Sequence, residues 1–151
     1  MQAQTRILWL KIAADILIVF GLLTALASVA AMAAPTSFLA DLIFWPVDGN
    51  EAIISPTERL LAAITGGLCT GLGVVSYLLT TKLYPHDPKL TRLLMSAGFA
   101  SWFVVDSFGS AAAGAPLNVV FNLGFLALFM LPLWLPEPAD GHSNAAERLE
   151  A

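Results

Sequence analysis

An all-α fold is predicted, a bundle of four transmembrane helices, and three observations predict it. Of the 151 residues, 58% are hydrophobic and 12% charged, whereas soluble domains carry about 25% charged residues. Mean hydropathy is +0.77. Apolar stretches long enough to cross a hydrocarbon core about 30 Å thick recur at about 7–33, 56–81, 89–113 and 116–135. Together they make one membrane domain over 1–136 and leave no room for a separate soluble one. The remainder, 137–151, is a polar tail expected to be disordered.

The first span opens with Arg6 and Lys11 and ends in an alanine-rich run. Ala31-Met32-Ala33 resembles a leader-peptide cleavage site. However, Asp15 interrupts the apolar region, which is also longer than a leader's apolar core. The span is therefore expected to be retained. Lys11 and Asp15 stand four residues apart, where a helix lets them pair along one face near the membrane edge. Ala14, Gly21, Thr24, Ala25 and Ser28 form a separate small-residue face suited to close helix contact.

Pro35 closes this span, and 36–45 reads as a short helix lying at the membrane interface. Phe38 with Leu42 and Leu39 with Ile43 repeat at a spacing of four, and Trp45 suits the headgroup level. Pro46 and the Asp48-Gly49-Asn50 turn stop it. Ser55, Pro56 and Glu58 then spell a capping box at the start of span two. Within that span Gly67 and Gly71 form a GxxxG motif. A second face carries Arg59, Ala63, Gly66, Thr70, Gly73 and Tyr77. Asp87 and Pro88 supply the N-cap and first position of span three. Gly114 and Pro116 mark the turn into span four, which Pro136 and Pro138 end.

Basic residues set the orientation. With the N-terminus in the cytoplasm, Arg6, Lys11, Lys82, Lys89, Arg92 and Arg148 lie inside and Arg59 alone outside, a strong positive-inside pattern. Both termini are then cytoplasmic, and the interfacial helix belongs to the first extracytoplasmic loop.

Composition excludes several chemistries. The seven Lys and Arg residues form no basic run, which argues against nucleic acid. A single cysteine, Cys69, allows no internal disulfide and no cysteine metal cluster. The two histidines, His86 and His142, fall in a turn and in the tail, so a membrane bis-histidine haem or histidine-rich metal site is not available. No cofactor, metal or catalytic triad is expected.

The candidate site is polar. Asp106 follows Arg92 by about 21 Å of helix rise, which places it in the outer leaflet. Asn118 and Asn122 share one face of span four near its outer end, and Arg59 opens span two on the same side. Polar groups at this depth are expensive and often mark function. One reading is an outward-facing pocket with Asp106 as the cation-binding or titratable group, Arg59 as counter-charge, Asn118 and Asn122 as ligand partners and Trp102 in an aromatic wall. The other reading is interhelical glue, Asp106 and Asn122 bonding across the bundle and the aromatics packing as core.

With Ile64-Thr65-Gly66-Gly67, the stretch from Trp102 through Asp106 to Ser110, and Asn118-Val119-Val120-Phe121-Asn122, the chain resembles small bacterial inner-membrane proteins with four spanning helices, loosely similar to DoxX-like bundles. The resemblance covers about 7–135 and implies a bacterial inner membrane. It transfers no activity to any residue. The expected function is a non-enzymatic accessory or assembly partner of a larger membrane complex, in contact with lipids and able to form a homo-oligomer. The alternative is a small-solute, proton-coupled or lipid- or quinone-binding transporter-like protein using the outer-leaflet pocket, and a third reading is a membrane enzyme acting on a lipid or quinone with Asp106 as acid or base.

Overall fold

In a computed structural model, residues 1–136 are described, and among them every regular element is helical. The order is α1 (Ala3–Leu26), a short 3-10 turn (Ala30–Met32), α2 (Ala34–Phe44), α3 (Pro56–Leu78) running into one turn of π-helix (Leu79–Leu83), α4 (Pro88–Ala112) and α5 (Pro116–Trp134). The expected tail at 137–151 lies outside the described residues.

The caps account for most of these boundaries. Ser55 Oγ accepts the Glu58 N–H at 3.2 Å, and Glu58 returns its carboxylate to the N–H groups of Ser55 and Ile54 at 2.7 and 2.8 Å. Asp87 accepts the Leu90 N–H at 2.9 Å, with Pro88 behind it where no N–H is needed. One boundary differs from expectation. α1 starts earlier than the predicted span and ends at Leu26 rather than near residue 33. The alanine-rich run is spent on the 3-10 turn and on the start of α2, where Pro35 opens a helix instead of closing one.

Among the described residues three helices are long and apolar enough to cross a membrane: Ala3–Leu26, Pro56–Leu83 and Pro116–Trp134. Only 33% of the most apolar window of the first, and 22% of each of the others, is buried inside the protein. Most of this apolar surface therefore faces away from the bundle. α4, with 25 residues, is as long but does not join the three, since it carries Lys89, Arg92 and Asp106 among several small and hydroxyl residues.

α1 is the centre of the bundle, with α3 on one side and α5 on another, and α4 lies against α5 and the π-turn. The α1–α3 contact is close enough to exclude side chains. A β-carbon on Gly21 would stand 2.5 Å from the Thr70 backbone nitrogen, and one on Gly73 would meet the Ile18 backbone nitrogen at 3.0 Å. Gly66 packs in the same way against Gly21 and Ala25. The predicted GxxxG plays no part in this seam: nothing lies within 4 Å of a β-carbon built on Gly67 or Gly71. The Gly66–Thr70–Gly73 face, one residue round the helix, makes the contact instead.

At the end of the bundle where α1 begins and α5 finishes, Arg6 is fully buried. Its guanidinium donates to the Tyr84 hydroxyl at 2.9 Å and to the Leu135 carbonyl. Arg92 donates to the same hydroxyl at 3.4 Å, so the residue that marked orientation also ties three segments together. The expected Lys11–Asp15 pair does not form among the described residues. Lys11 instead sets its ammonium 5.7 Å from the centroid of the Tyr77 ring on α3, and Asp15 is exposed.

Candidate functional site

At the other end of the bundle α4 and α5 bring a few polar side chains together. Asp106 lies on α4, and α5 runs back beside it after the turn through Gly114, whose φ of 79° favours glycine. That antiparallel return sets Asn118 and Asn122, one turn apart, opposite the carboxylate. Asn118 donates its side-chain N–H to Asp106 Oδ2 at 3.2 Å and to Ser110 Oγ at 2.8 Å. Asn122, 4% exposed, donates to the same Oδ2 and also to Ser107 Oγ at 3.4 Å. Ser110 anchors itself to the Asp106 carbonyl at 2.7 Å.

The cluster is therefore asymmetric. Asp106 Oδ2 takes two carboxamide donors, while Oδ1 accepts no hydrogen bond among the described residues. A carboxylate oxygen has room for two such bonds, so the free acceptor capacity of the group is concentrated on one atom.

Asp106, Asn118 and Asn122 also line a cavity of about 170 Å³. Its walls are apolar and largely aromatic: Phe99 and Trp102 from α4, Phe121 and Phe125 from α5, Phe20 from α1. Trp102 meets Phe99 edge-on, with centroids 6.5 Å apart and planes at 89°. Phe20 tilts on Phe125 at 5.4 Å. Phe99 in turn stacks at 3.9 Å on Phe129, which is fully buried. Core packing thus holds the wall from behind and leaves its inner face free.

α3 contributes Thr65, Cys69 and Leu72 to the cavity. α2 contributes Leu39 and Ile43, the pair whose spacing suggested a helix resting on the membrane. That stripe is turned at least in part onto the cavity. The carboxylate of Asp41, on the same helix and 4% exposed, accepts the Gly49 N–H with both oxygens at 3.0 Å. Ser37 accepts the Ile53 N–H at 3.0 Å. These bonds fold the loop after α2 back onto it and so position it over the site.

Four of the five residues singled out from sequence come together here: Asp106, Asn118, Asn122 and Trp102. Arg59 does not. It is half-buried at the start of α3, makes no ion pair with Asp106 among the described residues and does not line the cavity. Among the described residues no lysine, arginine or histidine lines it. The sequence assigned Leu39 and Ile43 to a membrane-facing stripe, their spacing of four being the only signal, and it offered none for Thr65 on α3.

No protein-family model matches the chain, and no curated protein or solved structure is detectably similar to it.

Proposed function

We propose that the protein is an integral membrane protein that binds a small ligand of single-ring size in the Asp106 cavity, its polar group directed at Asp106 Oδ1. One observation carries this reading: among the described residues, a carboxylate held on one oxygen by two carboxamides, open on the other, and set in an aromatic wall without a cation beside it. Glue alone would gain nothing from a cavity at its centre. An apolar cavity of about 150 Å³ holds benzene, so the volume here suits one ring with one small polar substituent. A carboxylate is an acceptor, and aromatic faces attract cations. The favoured ligand class is therefore a monocyclic amine in its ammonium form. The site is non-enzymatic in this reading.

In the topology that accompanies it, α4 crosses the membrane as span three, with Asp106, Ser107 and Ser110 turned onto α5, and the membrane is a bacterial inner membrane with the N-terminus inside. Cysteine labelling of intact cells tests this: Asn50→Cys is expected to react with an impermeant reagent and His86→Cys to be protected. The reverse pattern would invert the orientation.

Binding is tested by calorimetry of the purified protein with benzylammonium and with toluene. Benzylammonium is expected to bind saturably, about tenfold more weakly in Asp106→Asn, a loss of about 1.4 kcal/mol. Toluene affinity is expected to stay the same. Equal benzylammonium affinity in both proteins would remove Asp106 from the site.

A second reading, an accessory subunit of a larger membrane complex, is favoured by a different surface. Gly67 and Gly71 lie open on the external face of α3, flanked at heptad spacing by exposed Leu60, Ile64 and Leu78. That is the pattern of a helix prepared to meet another helix closely.

A further inference from the structure

Asp15 is an exposed ionisable group in the middle of an apolar helix. It lies 12 residues from Ala3 and 11 from Leu26, about 17 Å from either end of α1 at 1.5 Å per residue. α1 is one of the three helices able to cross a membrane, and because it runs from Ala3 to Leu26 Asp15 stands at its middle rather than at the membrane edge expected from sequence. Asp15 points away from the bundle and makes no hydrogen bond or ion pair among the described residues. Lys11, one turn away, is engaged with Tyr77. An aspartate side chain is too short to reach the interface from this depth, as lysine and arginine can. Leaving it against lipid is costly.

Its neighbours make a seam. Leu8, Ile12, Val19, Leu22 and Leu26 are all exposed, and with Asp15 they alternate at spacings of four and three. This is the heptad spacing by which two helices pack along a stripe. Lipid alone accounts for the apolar members and does not account for the aspartate in their midst.

We propose that this face of α1 docks a transmembrane helix of another protein that presents a lysine or arginine at the depth of Asp15. Charge complementarity selects the occupant: a basic side chain on the partner removes the cost of the lone carboxylate and fixes the register of the two helices. A second copy is disfavoured by the same charge. Packed on this seam about a two-fold axis, it brings Asp15 towards its own equivalent. The inference rests on the accessory reading and on α1 crossing the membrane; it is independent of the cavity.

The test uses the full chain, fluorescently labelled, in phosphatidylcholine vesicles with labelled polyleucine transmembrane peptides. One peptide has a single central arginine and the other is leucine throughout. Energy transfer is expected to show about tenfold tighter association with the arginine peptide, equivalent to about 1.4 kcal/mol. The preference is expected to vanish in Asp15→Leu and to persist in Asp106→Asn. Equal association of both peptides with the wild-type chain would overturn the proposal. Self-association of the chain that is lost in Asp15→Leu would also overturn it, by making a second copy the occupant. Alkaline carbonate extraction of the chain from the vesicles would instead overturn the membrane reading. Native mass spectrometry separates the remaining case. A stoichiometric partner retained by both wild type and Asp15→Leu would overturn the Asp15 assignment and leave the accessory reading standing.

Discussion

The α1–α3 and α4–α5 seams are built from opposite materials. Between α1 and α3, Gly21, Gly66 and Gly73 bring backbone against backbone with no space for a methyl group. Between α4 and α5, a carboxylate and two carboxamides bridge the helices, and a cavity of about 170 Å³ remains beside the bridge. Close packing gains dispersion contacts along the whole seam, which is the main source of cohesion between helices in lipid. A polar bridge contributes less net stability per bond, because the separated helices also find partners for those groups. The difference separates a seam that holds the fold from a seam that can accept a ligand.

Substitutions can break or sharpen this contrast. The largest effect is expected from Gly66→Ala. Its added methyl would enter the α1 backbone at Gly21 and Ala25, where nothing flexible can yield. Overpacking typically costs about 1–3 kcal/mol, and this site falls at or beyond the upper end; a lowered melting temperature and a polydisperse size-exclusion profile in detergent would check it. Arg6→Ala comes next. It removes a fully buried guanidinium that donates to Tyr84 and Leu135, a loss of about 2 kcal/mol for charge-assisted bonds, measurable by the same melt. Lysine is not expected to restore it, since one ammonium cannot reproduce the spread of the guanidinium fork.

On the polar seam the expected changes are smaller. Asn122→Ala removes one donor from Asp106 and leaves Ser107 without its contact, a cost of about 1 kcal/mol. Benzylammonium affinity is expected to fall with it, since the carboxylate loses its orientation. Gly71→Ala is expected to change the melting of the isolated chain by less than about 0.5 kcal/mol, because its β-carbon meets nothing. A large effect there would show that the external face of α3 is already occupied.

Much of the helix punctuation was legible in the sequence because caps are local chemistry. Ser55 with Glu58 and Asp87 with Pro88 act on backbone groups three residues away. The Asp106–Asn118–Asn122 cluster was legible because few polar residues interrupt these stretches and an antiparallel return sets their depth. What escaped depended on rotation and tertiary competition. Whether Gly66 or Gly67 meets α1 is a matter of one residue around the helix, about 100°, which a motif match does not resolve. Lys11 had two partners within reach, Asp15 on its own helix and the Tyr77 ring on another, and the sequence displays only the first. α2 bore an apolar stripe equally suited to lipid or to a cavity. Arg59 sits on the expected side of the bundle, but at the start of α3 it does not reach the cavity that Asp106 lines.

The central claim is that Asp106 serves a ligand more than it serves the fold. Thermal unfolding of wild type and Asp106→Asn, each with and without saturating benzylammonium, tests it most directly. At about 100 times its dissociation constant a ligand adds about 2.7 kcal/mol to the folded state. Similar melting of the two proteins is expected without ligand, and with the same ligand concentration a rise of several degrees in the wild type that is about halved in the variant. A variant that melts far below the wild type, with neither protein responding to ligand, would contradict it and make Asp106 interhelical glue.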